Sequence, residues 1–294
     1  RPENLDFLKD LRALMDEYPG TTTVGEIGDD NPLERMAEYT AGGDKLHMAY
    51  TFDLLNTPHS ARYIHEVLER FQRLAGDAWP CWATSNHDVV RSATRWGAGE
   101  DPTAYPKVAL AMLCSLRGSV CLYQGEELGL PEADVPFERI QDPYGKVLWP
   151  EFKGRDGCRT PMPWNDSEHG GFSSVEPWLP METSHRDMAV SRQQDDANST
   201  LNALRNMLAF RRQHPALVDG DLTLVDVGET LLGFSRQKGE ETLLCVFNLT
   251  AEAQTVNLPL AIECDLQGHG FTPQRDGDSL TLPGYQAAFM RVVS

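Results

Sequence analysis

No stretch of this 294-residue chain stays apolar for the about 18 residues that a membrane-spanning helix needs; the longest candidate, Val108 to Cys121, is broken by Arg117 and Gly118. Basic residues are scarce as well. Against 44 Asp and Glu stand only 26 Lys and Arg, a formal net charge of −18 at pH 7. Without a Lys/Arg-rich run there is nothing from which to build the basic stripe that phosphate neutralisation requires, so no nucleic acid is expected as a partner. Anionic membrane surfaces are disfavoured for the same reason. The six cysteines, at 81, 114, 121, 158, 245 and 264, include no CxxC pair. That argues against a zinc ribbon or a disulfide lattice and for buried free thiols in a reducing, cytoplasmic compartment. Repeats and low-complexity tracts are absent.

What is present is the composition of an ordinary folded protein, 40% hydrophobic, 9% aromatic and 24% charged, with length enough for a sizeable core and two domains. Leu5, Leu8, Leu11 and Met15 recur at helical spacing, with Pro2 suited to a helix start and Pro19-Gly20 to its end. A chain that opens directly into a helix reads as the remainder of something longer. A strand is predicted over Thr21 to Glu26, then an apolar run from His47 to Leu55 and a helix through Tyr63, Val67, Leu68 and Phe71. Pro80 to Asp88 begins apolar and ends polar; a helix from Tyr105 to Arg117 and a strand from Val120 to Tyr123 follow. This alternation predicts an α/β fold with a parallel sheet, and polar strand ends predict that one face carries the chemistry. Residues 131–195, rich in Pro, Gly, Trp and acids, break the rhythm, as functional loops do. One more helix, Leu201 to Gln213, precedes short strands (LTLVDV, LLGFSR, TLLCVFNL, SLTLP, AAFMRVV) that read as a separate antiparallel β domain.

Glu26 ends a predicted strand between Gly25 and Gly28, where a barrel puts a general acid or base. Ser85-Asn86-His87-Asp88 ends another strand of the same class, and two such ends at one barrel mouth would pair the carboxylates that glycoside cleavage requires. On local grounds alone Asp88 would be the nucleophile and His87 a packed core imidazole. Phe52 is either an aromatic platform for a sugar face or a core residue.

TVGEIG (Thr23 to Gly28), TSNHD (Thr84 to Asp88), YQGEELGL (Tyr123 to Leu130) and GRDGCRTPMPW (Gly154 to Trp164) resemble, in this order, the α-glucosidase branch of the α-amylase family, glycoside hydrolase family 13. The likeness runs through the whole chain and is similar to bacterial exo-acting α-glucosidases, especially those of halophilic bacteria. It implies that Glu26 is the general acid/base, its pKa raised by burial and neighbouring carboxylates, and that Asp88 is a transition-state stabiliser rather than the nucleophile. His87 and Asp88 would bind the sugar's 2- and 3-hydroxyls. Arg155 would clamp the terminal 4-hydroxyl with an upstream Asp, and Arg159 would pair within its own loop. Glu126 and Glu127 would be structural, at the start of a helix, and HPAL (His214 to Leu217) would lead from the last barrel helix into the β domain.

The family's strand-three DxVxNH and strand-four GFRxD motifs, the second carrying the nucleophile, have no match here. The resemblance therefore implies a (β/α)8 TIM barrel represented by strands five to eight, with residues 1–217 as the carboxyl-terminal half of the barrel, including an active-site loop region near 131–195, and 218–294 as a β-sandwich domain. The missing amino-terminal half would be a necessary partner, because a half barrel leaves sheet edges open. No cofactor is expected, and a structural calcium would lie in that missing half. The implied activity is a retaining α-glucosidase acting at the non-reducing ends of short α-glucosides, with glucosyl transfer to acceptor alcohols or sugars. A sucrose isomerase or trehalose synthase is the rival, although PFERIQDP (Pro136 to Pro143) lacks the Arg-Leu-Asp-Arg-type loop of isomaltulose formation. A non-catalytic barrel relative is the second rival, disfavoured by the retained Glu26, His87 and Asp88.

Overall fold

β-Branched and apolar runs form short parallel strands here because each is flanked by a helix long enough to cross back over the sheet. The computed structural model describes residues 2–56, 59–97 and 101–293. In chain order the first elements are α1 (Pro2–Asp16), β1 (Val24–Ile27), α2 (Pro32–Thr40), β2 (Met48–Thr51), α3 (Ala61–Ala75) and β3 (Cys81–Trp82). After these come α4 (Ser92–Arg95), α5 (Ala104–Ser115), β4 (Ser119–Val120), α6 (Pro143–Leu148), α7 (Thr183–Asp187), α8 (Val190–Gln193), α9 (Thr200–Gln213) and α10 (Pro215–Asp219).

β1 and β2 pair in parallel with Glu26 opposite Tyr50; an Ala49–Pro80 bridge joins β2 to the start of β3, which pairs in parallel with β4. The described strands thus run in the order β1-β2-β3-β4, a parallel arc of four. Gly118 makes the last pairing possible. It sits at φ +131° just before β4, and a Cβ there would come within 2.6 Å of the Pro80 carbonyl oxygen. Behind the arc, α3 is started by Ser60, whose side chain accepts from the Tyr63 amide, and buries Ile64, Val67, Leu68 and Phe71. α5 is buried on nearly all sides and packs chiefly against α9.

The carboxyl-terminal strands are β5 (Asp221–Leu224), β6 (Leu231–Lys238), β7 (Glu241–Asn248), β8 (Gln254–Asn257), β9 (Ile262–Asp265), β10 (Gln274–Asp276), β11 (Ser279–Leu282) and β12 (Ala287–Val292). They form antiparallel sheets of order β5-β6-β7-β12-β9 and β10-β11-β8. A separate apolar cluster, including Leu231, Leu244, Val246, Leu280 and Met290, lies in this region, while Phe234, Phe247 and Phe289 belong to the main core.

Several local expectations are corrected. β1 starts at Val24 rather than Thr21 and runs one residue past Glu26; α2 and the polar strands β8, β9 and β10 are additional to the elements expected from the pattern. The thiols are unpaired, but Cys121 and Cys264 are exposed rather than buried. Residues 131–195 are less irregular than predicted, containing α6, α7, α8 and the 3-10 turns Phe137–Arg139 and Asp156–Arg159. No helix among the described residues is long and apolar enough to cross a membrane.

Candidate active site

The carboxyl ends of β1 to β4 and the loops that follow them hold the polar residues singled out above. Glu26 projects from β1, and the hydroxyl of its cross-strand partner Tyr50 donates to Glu26 Oε2. Burial pushes the Tyr50 phenol up, and the Glu26 contact adds to that rise while the Asn86 side chain opposes it. Tyr50 is therefore a donor to Glu26 throughout the ordinary pH range. In this chain the Glu26 side chain is exposed, on the outer strand of the arc. The Phe52 ring, partly buried, lies with its centroid 6.5 Å from that of Tyr50.

Beyond β3, the Asn86 side chain accepts from the Asp88 amide at 2.8 Å and turns the chain so that the Asp88 carboxylate faces the 155–159 segment. Arg155 Nη1 and Arg159 Nη2 both donate to Asp88 Oδ1, at 3.0 and 2.8 Å. Arg159 Nε also donates to the His87 carbonyl at 2.7 Å, so Arg159 reaches across the site instead of pairing within its own loop. The reason is local: the 3-10 turn over Asp156–Arg159 carries both arginines back toward the end of β3. His87 is not a core imidazole. Its side chain is 57% exposed, with Nε2 3.7 Å from Asp88 Oδ1.

Arg155 has a second carboxylate partner that no motif in the sequence marks. Asp142, fully buried, accepts from Arg155 Nε at 2.8 Å, Arg155 Nη2 at 3.1 Å and the Arg155 amide at 2.9 Å. Those bonds hold the Asp142 carboxyl down at about 2. Its signal in the sequence is a bare Asp-Pro pair, which reads as a helix start.

Glu126 starts a 3-10 turn, Glu126–Leu128, as anticipated, and is in addition a buried hub. It accepts from the Thr84 hydroxyl at 2.7 Å, the Ser92 hydroxyl at 3.1 Å and the Tyr123 amide at 2.8 Å, while burial raises its pKa. Arg91, only 1% exposed, donates to the carbonyls of Gln124 at 2.6 Å and Cys158 at 2.9 Å. It staples the turn after β4 to the arginine-bearing segment. Beside Arg159 opens a cavity of about 440 Å³ whose walls include Tyr123, Met162, Trp164, Phe172 and Trp178. Among the described residues no group of three or more His, Cys, Asp or Glu is arranged to hold a metal ion.

The family model for the alpha amylase catalytic domain matches residues 1–220, and that for the maltogenic amylase C-terminal domain matches residues 222–288. The chain belongs to the alpha-amylase family. Over 295 aligned residues this alpha-amylase-family chain is 49% identical to a Rhizobium meliloti (strain 1021) protein named "Probable alpha-glucosidase", covering 99% of the chain and 54% of that relative. It is 27% identical to the oligo-1,6-glucosidase of Parageobacillus thermoglucosidasius, covering 88% of the chain and 52% of the relative. Among solved structures, the alpha-glucosyl transfer enzyme XgtA superposes with a TM-score of 0.96 at 48% identity, over 100% of this chain and 55% of that one. Isomaltulose synthase from Klebsiella sp. LX3 shares the fold, with a TM-score of 0.88 at 23% identity over 99% of this chain and 59% of that one. The chain spans about half the length of the curated relatives it matches. The parallel arc is accordingly part of the family's (β/α)8 barrel, and an antiparallel β domain follows it.

Proposed function

We propose that this chain is the acid/base-bearing part of a retaining α-glucosidase that releases glucose from the non-reducing ends of short α-glucosides and transfers it to acceptor hydroxyls. The observation that carries the reading is the placement of Glu26 at the carboxyl end of a parallel strand, on the same face as the Asp88–Arg155–Arg159 cluster. In the first half-reaction Glu26 gives its proton to the glycosidic oxygen as that bond breaks and the glucosyl carbon bonds to a carboxylate supplied from outside this chain. In the second, Glu26 takes a proton from water, giving hydrolysis, or from an alcohol or sugar hydroxyl, giving transfer, as the glucosyl–carboxylate bond breaks. Asp88 and His87 would hold the 2- and 3-hydroxyls, with Asp88 stabilising the oxocarbenium-like transition state. Arg155 would bound the pocket at the 4-hydroxyl, and Phe52 would offer a ring to the sugar face.

The nucleophile would come from the strands that complete the barrel, which this reading takes as the chain's obligatory partner. Proton and nucleophile both come from carboxyl groups, so no cofactor is needed. The names of the relatives, an alpha-glucosidase, an oligo-1,6-glucosidase and an alpha-glucosyl transfer enzyme, support the same class. Six unpaired cysteines, two of them exposed, support a reducing, cytoplasmic setting.

The test is Glu26→Gln in the enzyme with its barrel complete. Release of glucose from maltose should fall by about 10²–10⁴-fold, the usual worth of a positioned acid/base. Activity near the parent level would remove Glu26 from that role. Sucrose given to the parent enzyme should yield glucose, fructose and transfer products; accumulation of an isomerised disaccharide as the main product would favour the isomerase reading instead.

A further inference from the structure

We propose that Asp142 is a positioning residue, which locks the Arg155 guanidinium so that Nη1 is presented to Asp88 and the sugar-binding side of the site. The inference rests on the glucosidase reading for its kinetic consequences, while its structural content stands on the contacts alone.

Asp142 takes the side-on edge of the guanidinium, Nε at 2.8 Å on Oδ2 and Nη2 at 3.1 Å on Oδ1, the two-bond fork for which arginine and carboxylate are matched. It also accepts from the main-chain amide of Arg155 at 2.9 Å, so side chain and backbone of that residue are fixed by one carboxylate. The carboxylate is itself held. Its Oδ1 caps α6 by accepting from the Tyr144 amide at 3.1 Å, and its backbone N–H donates to Asp156 Oδ2 at 2.9 Å. The Tyr144 ring covers the guanidinium, with Cζ 5.3 Å from its centroid.

The consequence lies at Asp88. Two guanidinium groups donate to the same Asp88 oxygen, Arg155 at 3.0 Å and Arg159 at 2.8 Å, and Asp142 is the carboxylate that shares the charge of Arg155. Neutralising Asp142 transfers that charge wholly onto Asp88 and frees the guanidinium to swing over it. The guanidinium then no longer bounds the pocket at the terminal 4-hydroxyl, a contact remote from the reacting carbon, and its loss weakens ground-state and transition-state binding alike. That pattern raises KM and leaves kcat nearly unchanged.

The experiment is Asp142→Asn in the enzyme with its barrel complete, a change that keeps the size of the side chain and its ability to cap α6. KM for maltose should rise at least tenfold with kcat within about threefold, and the same change in an Arg155→Lys background should add less than twofold. A merely structural role would lower the active fraction, and so kcat, at constant KM; an unchanged KM therefore overturns the proposal. So does an effect that is fully additive with Arg155→Lys. A crystal structure of D142N supplies a readout free of activity: the guanidinium should have left its present position, and finding it unmoved overturns the proposal. Should D142N fail to fold, Arg155→Lys alone must raise KM tenfold, and an unchanged KM there also refutes the idea. A parent enzyme inactive on every α-glucoside would instead refute the glucosidase reading, and the guanidinium position in D142N would then decide the role of Asp142 by itself.

Discussion

At the scale of single residues, His185 and Asp142 answer to acid in separate windows. His185 is buried with Nε2 3.0 Å from the Pro131 carbonyl, and burial, aided by the Arg91 charge, lowers its pKa to about 4. Since an unfolded histidine titrates near 6.5, the unfolded chain binds a proton that the folded chain refuses between those values. Stability therefore falls as pH drops from about 6.5 to about 4. Exchanging His185 for Gln, which can still donate to the carbonyl, should remove on the order of 2 kcal/mol of that dependence; denaturant unfolding at pH 7 and pH 4.5 measures it. The Asp142–Arg155 pair acts later. Its contribution is fully present above the unfolded carboxylate value near 3.9 and is lost as pH falls toward about 2. Asp142 and Tyr50 are not legible in the sequence because their signal is a partner, 13 and 24 residues away, rather than a motif. Glu26, Asp88 and Arg155 are legible because they sit inside longer patterns.

At the scale of elements, helices with an apolar stripe are legible almost to their ends, whereas the parallel strands read too long. α3 shows why helices succeed: Ser60 caps it, Ile64, Val67, Leu68 and Phe71 share one face, and Gly76 stops it at φ +52°. Replacing Ser60 by Ala should cost about 1 kcal/mol of unfolding free energy, read from the urea midpoint at constant m-value. β3 and β4 keep only two residues each in the ladder because the chain after Val120 bends through Gly125, at φ +89°, to deliver Glu126 beneath the site. Gly118→Ala should destabilise by more than about 2 kcal/mol, since the new methyl meets the Pro80 carbonyl in a backbone conformation that favours glycine. A normal melting temperature for that variant would contradict the pairing described. The strands β8 and β9 escape detection because their mainly exposed and half-exposed residues carry no apolar alternation.

At the scale of the molecule, Arg236 is the joint between barrel and β domain. It is fully buried on β6, donating to the carbonyls of Leu217 at 3.2 Å, Gly220 at 2.8 Å and Asp221 at 3.3 Å, and also to that of Ser115 at the end of α5. Burial lowers its pKa to about 10, which still leaves it charged at neutral pH. Arg236→Met fills similar volume but strands those carbonyls without a donor. The change should cost about 3 kcal/mol and let the two parts melt separately, read as two calorimetric transitions in the variant against one expected for the parent. A single transition at the parent temperature would mean that apolar packing alone holds the domains together.

The sequence by itself determined the α/β order of the first part, the antiparallel β character of the second and the family, because periodicity and motif spacing are properties of the chain. It also determined which carboxylates and arginines were candidates. Only the tertiary structure decided their company. Arg159 crosses to Asp88, Asp142 grips Arg155, Tyr50 donates to Glu26 and Arg236 joins the domains. Each of these is a contact between segments whose separation along the chain carries no trace of it, and its geometry exists only once the strands are paired and the loops are packed over their ends.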